Sequence, residues 1–315
     1  MDISVVVPIY NEEGNIPQMY ERLTKVLSEI CSSYEIIFVN DFSKDNSLQL
    51  IKELSSKDKS IKYISFSRNF GHQVAVSAGL DYSKGQAVAI IDGDLQDPPE
   101  LIKEMYAKYK GGYKVVYAKR SARKGVNIFK KSAYKLFYRI LDKLTDIKIP
   151  LDTGDFRLID RVIVKHLQQM PERNKFIRGQ IAWIGYKQTF VEYVRDARFS
   201  GETGYSFSKL MKLAIDGITG FSSRPLKFAS NMGIIVSLFS FCIIVYALIS
   251  QYFLNTPPLR GWTSMIISFS FIGGVQLITI GIIGEYISRI NNDVRKRPLY
   301  IVEESSEKIE EEKTK

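Results

Sequence analysis

The stretch Gln86-Ala-Val-Ala-Ile-Ile91, Asp92-Gly93-Asp94, Leu95-Gln-Asp-Pro-Pro-Glu100 decides how this chain is read. A short apolar run bounded by turn residues is a buried strand. Two carboxylates one residue apart at its C-terminal end make a hard, oxygen-rich site. Such a site suits Mg²⁺ or Mn²⁺ held partly by protein and partly by a diphosphate. In open α/β sheets, ligands bind outside the carboxyl ends of the strands. Working outward, further apolar runs at 3–8, 34–40, 61–65 and 114–118 predict strands. Helical patterns lie between them at about 15–30, 47–57, 71–82 and 99–110, the first opening on Asn15 with Pro17 in its first turn. Strands alternating with helices predict an α/β fold, a mostly parallel sheet with helices on both faces.

The chain has 315 residues and a formal net charge of +10. Its N-terminus, Met1-Asp-Ile-Ser-Val-Val-Val-Pro8, has neither a basic leader nor a long apolar core, so it does not read as a secretory signal. Cys31 and Cys242 are the only cysteines and are expected to be buried thiols without a disulfide, as in a reducing compartment. The charge is concentrated. Residues 119–148 hold ten Lys or Arg against Asp142 and Asp146. Nucleic acid, anionic lipid headgroups or phosphates would each answer that charge. The apolar spans described next favour the lipid and phosphate reading over nucleic acid.

Residues 232–254 and 265–287 are each long enough to cross a hydrocarbon core of ~30 Å, with Glu285 the sole acid and no Lys, Arg or Asp. Arg224 and Lys227 precede the first span, and Arg289, Arg295, Lys296 and Arg297 follow the second; only Arg260 lies in the connecting loop. That bias puts the large domain and the C-terminus in the cytoplasm and the chain in the inner (cytoplasmic) membrane as a multi-pass protein. The alternative is a buried helical hairpin. Glu285 reads as snorkelling or paired. Val126, Phe129, Ala133, Phe137, Ile140 and Leu144 recur at helical spacing beside Lys131, Lys135 and Arg139, as either a core-packed surface helix or a membrane-surface one. Phe207, Leu210, Met211, Ala214, Ile215 and Ile218 form a second amphipathic stretch, placed for the interface. The expected units are a catalytic domain over 1–204, an interfacial helix and linker over 205–228, a transmembrane hairpin over 229–290, and a basic-then-acidic tail over 291–315, solvated from Glu303 onward. Gly273, Gly274, Gly281 and Gly284 would permit close helix packing and hence a homo-oligomer.

The first two strands end in Pro8-Ile-Tyr-Asn-Glu12 and Asn40-Asp41-Phe-Ser-Lys-Asp-Asn-Ser47. Asp41 could accept from a base N–H and Tyr10 could lie against a base or ribose, although Asn, Asp and Ser serve turns equally well. At this point the resemblance is specific. Residues 4–13, Asn69-Phe-Gly-His-Gln73, 92–100, Asp152-Thr-Gly-Asp-Phe-Arg157, Arg198-Phe-Ser-Gly-Glu-Thr-Gly-Tyr205 and Phe221-Ser-Ser-Arg-Pro225 resemble the family 2 glycosyltransferases that act on polyprenyl phosphates. The likeness is greatest to bacterial undecaprenyl-phosphate glucosyltransferases and weaker to dolichol-phosphate mannose synthases. It runs to about Arg297.

The resemblance implies a GT-A-type fold with amphipathic interfacial helices and a C-terminal two-helix transmembrane hairpin. It also implies inverting transfer of a hexose from a nucleotide sugar, with UDP-glucose first and N-acetylglucosamine, galactose, mannose or a modified arabinose as alternatives. The acceptor would be a polyprenyl phosphate lipid, for cell-envelope glycan modification. Pro8, Tyr10, Glu12, Asp41 and Asp92 would hold the nucleotide sugar. Asp92, Asp94 and Gln96 would meet the metal, Asp94 directly. Asp155 and Arg157 would be catalytic, Asp155 as base or as positioning group. Arg120, Lys131 and Arg198 would meet phosphates. Asn40-Asp41-Phe42-Ser43 stands where many relatives carry two Asp and a Gly, which leaves Asp41 as the one carboxylate there. Asp152 reads as a turn cap, Lys124 and Lys148 as solvated, and His72 and His166 as structural residues without a visible partner. A processive polysaccharide synthase would carry a Gln-x-x-Arg-Trp segment and more spans. A dinucleotide oxidoreductase would carry G-x-G-x-x-G after its first strand. A non-enzymatic membrane adaptor would have no use for the acid pair.

Overall fold

The computed structural model describes residues 1–120, 153–194, 222, 224–253 and 261–306. The sequence-derived helix of 126–144, the amphipathic stretch of 207–218, the 255–258 turn, Lys124, Lys131, Lys148, Asp152, Arg198 and the last nine residues lie outside the described residues.

Eight strands form one sheet. They are β1 (Ile3–Ile9), β2 (Tyr34–Asn40), β3 (Ile61–Phe66), β4 (Ala87–Ile90), β5 (Val115–Arg120), β6 (Thr153–Asp160), β7 (Gln188–Tyr193) and β8 (Val302–Ser305), in spatial order β7-β5-β6-β4-β1-β2-β3-β8. The β4-β1-β2-β3 block is parallel, as is β5 with β7. β6 runs antiparallel to both β4 and β5, and β8 antiparallel to β3. The reversal of β6 matters for the site, because it brings the N-terminal end of that strand to the carboxyl ends of its neighbours.

Helices cover both faces. α1 (Ile16–Ile30), α2 (Ser47–Lys57) and α4 (Leu101–Lys110) bury Ile16, Met19, Leu23, Ile51, Ile102 and Met105 on one side. α3 (His72–Tyr82), α5 (Arg161–Gln169) and α6 (Ile177–Ile184) bury Ala75, Val76, Ile163, Val164, Ile177 and Ile181 on the other. Both faces of the central strands are therefore covered, and β1 reads as a continuous apolar run in place of an alternating one. α3 packs so closely on β1 that a Cβ at Gly79 would lie 2.2 Å from Val6 Cγ1.

α7 (Arg224–Phe253) and α8 (Trp262–Val294) are long helices that pack on each other. Within α8, Phe271–Val294 is long and apolar enough to cross a membrane, and none of it is buried in the protein. Ile234, Leu238, Phe239 and Phe241 on α7, with Phe269, Leu277 and Ile280 on α8, are exposed. Among the described residues, a Cβ at Gly273, Gly274, Gly281 or Gly284 would meet nothing within 4 Å. Glu285 pairs with Arg289 one turn on, at 3.2 Å.

Two expectations need correction. Cys242 is an exposed free thiol on α7, because apolar side chains of these helices face outward where no protein covers them; Cys31 is free and half-buried. Residues 303–306, the described part of the acidic tail, are not a free end. Val302–Ser305 adds an edge strand to β3, and Lys52 Nζ meets Glu304 Oε1 at 2.7 Å. The Tyr300 ring stacks on Phe66 at 5.3 Å, and its hydroxyl donates to Asp81 Oδ2 at 3.0 Å. Backbone pairing outweighs the polarity of the segment.

Candidate active site

The predicted site residues that are described gather at one end of the sheet. Pro8 and Tyr10 stand where β1 ends, Tyr10 with 46% of its surface exposed. Asn11 takes a positive φ of 55° there. The Glu12 backbone N–H donates to Ser47 Oγ at 3.0 Å, and its carboxylate accepts from Asn15 Nδ2. Asp41, just past β2, is buried. Its two carboxylate oxygens accept from the backbone N–H of Phe70 at 2.7 Å and of Gly71 at 2.9 Å. Burial pushes its carboxyl up, and these two bonds act against that. Asp41 therefore moors the loop from β3 to α3.

That loop continues into the acid site. His72 Nε2 lies 2.9 Å from Asp92 Oδ1, and His72 Nδ1 lies 4.0 Å from Asp155 Oδ2. The expectation that His72 has no partner is thus corrected: the start of α3 brings it over the end of β4. His166 also has a neighbour, the Tyr186 hydroxyl at 3.3 Å. Asp92 is partly exposed, whereas Asp94 is buried with Oδ1 accepting from the Gln96 backbone N–H at 3.2 Å. Gly93 between them lets the turn close on β1, since a Cβ there would lie 2.6 Å from Ile9 Cδ1 and 3.2 Å from the Pro8 carbonyl oxygen.

Asp155 enters from the reversed strand β6. Its Oδ1 accepts from Arg157 Nη2 and from Arg178 Nε, each at 3.1 Å. Burial would raise its carboxyl, but the charges of Arg178, His72 and Arg157 hold it well below the usual carboxylate range. Arg157 is fully buried; its Nε donates to the Asp155 carbonyl and its Nη2 to the Gly154 carbonyl, both at 3.0 Å. Burial draws its guanidinium below its ordinary value, though Asp155 opposes this.

Arg120 closes the far side. Its Nε donates to the Tyr193 hydroxyl at 3.2 Å, and Nη2 lies 3.6 Å from Asp97 Oδ2; the Tyr193 hydroxyl in turn donates to Asp97 Oδ1. A Cβ at Gly154 would lie 2.7 Å from Arg120 Nη2, so glycine there lets the guanidinium cross β6. The structure thus unites Asp92 with Asp155 through His72 and holds Arg120 on β5. Arg178, Gln73, Asp97 and Tyr193 belong to the same cluster and carry no sequence-derived role. For His72 and Gln73 a signal existed in the Asn69-to-Gln73 motif. For Arg178 there was none, as it stands alone at the start of a helix.

The donor set fits a divalent cation. One ligand atom each from His72, Asp92 and Asp155 lies within 4.8 Å of the others. Asp155 is already compensated by two guanidiniums on one oxygen, whereas Asp92 is bonded to a histidine that can yield it. Carboxylates with an optional imidazole suit Mn²⁺, and carboxylates alone suit Mg²⁺.

Among known families, the one described as glycosyl transferase family 2 matches residues 4–168. A Bacillus subtilis protein named uncharacterized glycosyltransferase YkcC is 50% identical over 302 residues, covering 96% of this chain and 93% of its own. The SfII prophage-derived bactoprenol glucosyl transferase of Shigella flexneri is 41% identical over 305 residues, covering 97% of this chain and 98% of its own. The crystal structure of glucosyl-3-phosphoglycerate synthase from Mycobacterium tuberculosis with Mn²⁺ and UDP-glucose is 18% identical, covers 69% of this chain and 77% of that one, and has a TM-score of 0.44.

Proposed function

The chain belongs to glycosyltransferase family 2, and on that premise we propose that it transfers a hexose, glucose first, from a UDP-sugar to undecaprenyl phosphate at the cytoplasmic face of the inner membrane, in cell-envelope glycan modification. The observation that carries the acceptor is the match to a bactoprenol glucosyl transferase over nearly the whole of both chains, long apolar helices included.

The order of the strands supports a division of labour. Pro8, Tyr10, Glu12 and the loop that Asp41 moors lie on the β1–β2 side and would take the nucleotide. Asp92 and Asp94 stand in the middle, at the end of β4, with Gln96 beside them; they would hold Mg²⁺ or Mn²⁺, with His72 able to join. When bound, that ion supplies positive charge to the departing diphosphate. Asp155 and Arg157, on β6, and Arg120, on β5, lie on the other side; the arginines would face the acceptor phosphate and Asp155 would orient them. Lys131 and Arg198 are proposed partners of the same phosphate. Attack from the side opposite the leaving diphosphate inverts the anomeric centre in one displacement. The second pKa of a phosphate monoester is ~6, so the attacking oxygen is already largely ionised at neutral pH. The protein's work is then mainly positioning.

The pairing of β8 supports the proposed membrane arrangement. Residues after α8 rejoin the sheet of the domain that precedes α7. If α8 crosses the membrane, the chain must cross a second time, and α7, at 30 residues, is long enough at ~1.5 Å per residue. That favours a two-span hairpin with both flanks on the cytoplasmic side and residues 205–228 as its interfacial approach. The outward glycines of α8 leave room for a homo-oligomer.

The test is mass spectrometry of the lipid product. The full-length protein, in vesicles with undecaprenyl phosphate and Mn²⁺, is offered a panel of nucleotide sugars. A hexosyl-phosphoundecaprenol from UDP-glucose is expected. No lipid-linked product from any donor would overturn the proposal.

A further inference from the structure

The first turn of α6 belongs to no motif, yet four elements meet there. The Ile177 backbone N–H donates to Gln73 Oε1 of α3 at 3.3 Å. Arg178 Nε donates to Asp155 Oδ1 of β6 at 3.1 Å. Gln73 Nε2 reaches Asp155 Oδ2 at 3.5 Å, the outer limit of a hydrogen bond. Just upstream, the Arg173 backbone N–H donates to Asp293 Oδ1 in the last turn of α8, at 2.9 Å.

The geometry has two consequences. A carboxylate with one oxygen held by two guanidiniums from different elements cannot rotate unless both let go, so Asp155 is held in one orientation by β6 and α6 together. Two guanidinium forks also converge at this carboxylate, and such forks suit a phosphate. Arg157 is fully buried, so of the two it is Arg178, with a quarter of its side chain exposed, that reaches toward solvent. Both lie across Asp92 from β1 and β2.

We infer that Arg178 is a positioning residue for the acceptor half of the site, holding Asp155 in place for a phosphate-monoester acceptor. This rests on the acceptor reading above. A merely structural arginine would lower the amount of folded protein and leave both Michaelis constants alone. A positioning arginine on the acceptor side raises one of them.

The experiment uses the full-length protein in vesicles and compares wild type with Arg178→Gln and Arg178→Lys. Donor and acceptor KM are measured separately, with UDP binding and circular dichroism to confirm folding. Two acceptors are used, undecaprenyl phosphate and a short-chain soluble isoprenyl phosphate. Arg178→Gln is expected to raise acceptor KM about tenfold or more with both acceptors while donor KM stays within about twofold. Lysine keeps the charge but not the fork, so Arg178→Lys should fall between. If the Gln variant does not fold, the Lys variant carries the test with a rise of about threefold.

Unchanged acceptor KM in the folded variants overturns the inference, as does a rise in donor KM alone. A rise confined to the long-chain lipid also overturns it, since the effect would then run through Asp293 and α8 and not through the phosphate. Wild type without transfer to either acceptor overturns the acceptor reading itself. Wild-type transfer with an indifferent Arg178 overturns only this inference.

Discussion

His72 Nε2 sits 2.9 Å from Asp92 Oδ1, and this contact joins the loop that Asp41 moors to the acid site at the end of β4. One histidine thereby connects the nucleotide side of the sheet with the carboxylates, and its other ring nitrogen faces Asp155. Any cation that takes Asp92 must compete with the imidazolium for it.

The pair has a signature in stability against pH. Burial alone would lower the His72 pKa, but the bond to Asp92, its charge and that of Asp155 push it from 6.5 up to about 9. A folded-state pKa above the unfolded one means that the stabilisation is fully present below pH 6.5 and lost as pH rises through about 9. With divalent cations chelated, wild type should melt above His72→Gln at pH 6, and the gap should close by pH 10. A gap that stays constant over that range would remove the ionised pair.

Packing of α3 on β1 gives a second prediction. The Cβ in Gly79→Ala would lie 2.2 Å from Val6 Cγ1 and 3.1 Å from Val6 Cβ. Valine is stiff at χ1 and Val6 is fully buried, so helix and strand must separate. Overpacking of this kind costs about 1–3 kcal/mol. Urea denaturation should show a loss of that order, and UDP binding measured with Mn²⁺ present should weaken because His72 rides on the same helix. Stability equal to wild type would mean that α3 can shift freely.

The C-terminal strand can be removed without touching either long helix. Truncation after Pro298 deletes Tyr300 and β8 and leaves the edge of β3 bare. Burial pushes the Tyr300 hydroxyl up, with Asp81 adding to it, as befits a phenol that stays neutral and donates its proton. Loss of a half-buried aromatic should cost about 1 kcal/mol, and an uncovered edge invites pairing between molecules. Light scattering on heating should show earlier aggregation than in the full chain. Identical behaviour would make β8 an ornament of the edge.

What the sequence revealed and what it hid divide along physical lines. β1 to β4, α1 and the acid turn follow from local patterns: apolar runs, Pro17 near a helix start, and acids after a strand. β6 was not legible as a strand of the site, because nothing local says that it inserts antiparallel between β4 and β5. Only that reversal delivers Asp155, and not Asp160 at the other end, to the acids. β8 was hidden because its segment is acidic and its partner lies far back in the sequence. His72 looked isolated because Asp92 is twenty residues away, and Arg178 because its partner arrives from another strand. Asp94 was legible as an acid of the pair but not as the buried one.

The last prediction concerns Asp155 as base or as positioning group. Arg178, His72 and Arg157 hold its carboxyl well below the ordinary range. A carboxylate held below the ordinary range is a poor acceptor for the proton of a phosphate monoanion whose pKa is ~6, so a base role would be uphill. Positioning is the role that its environment favours. Asp155→Asn removes the counter-charge from Arg157, which is 1% exposed, and breaking a buried pair in this way costs about 3–5 kcal/mol. Activity must therefore be read per folded molecule, with UDP binding as the gauge. On that basis the variant should lose activity by a similar factor at pH ~6 and at pH ~8, since the acceptor's own ionisation does not replace a missing anchor. A base role predicts instead a large loss at the lower pH and recovery at the higher one, where the acceptor is fully ionised. A folded variant that regains wild-type rates at high pH would overturn the positioning role, and one as active as wild type throughout would take Asp155 out of the site.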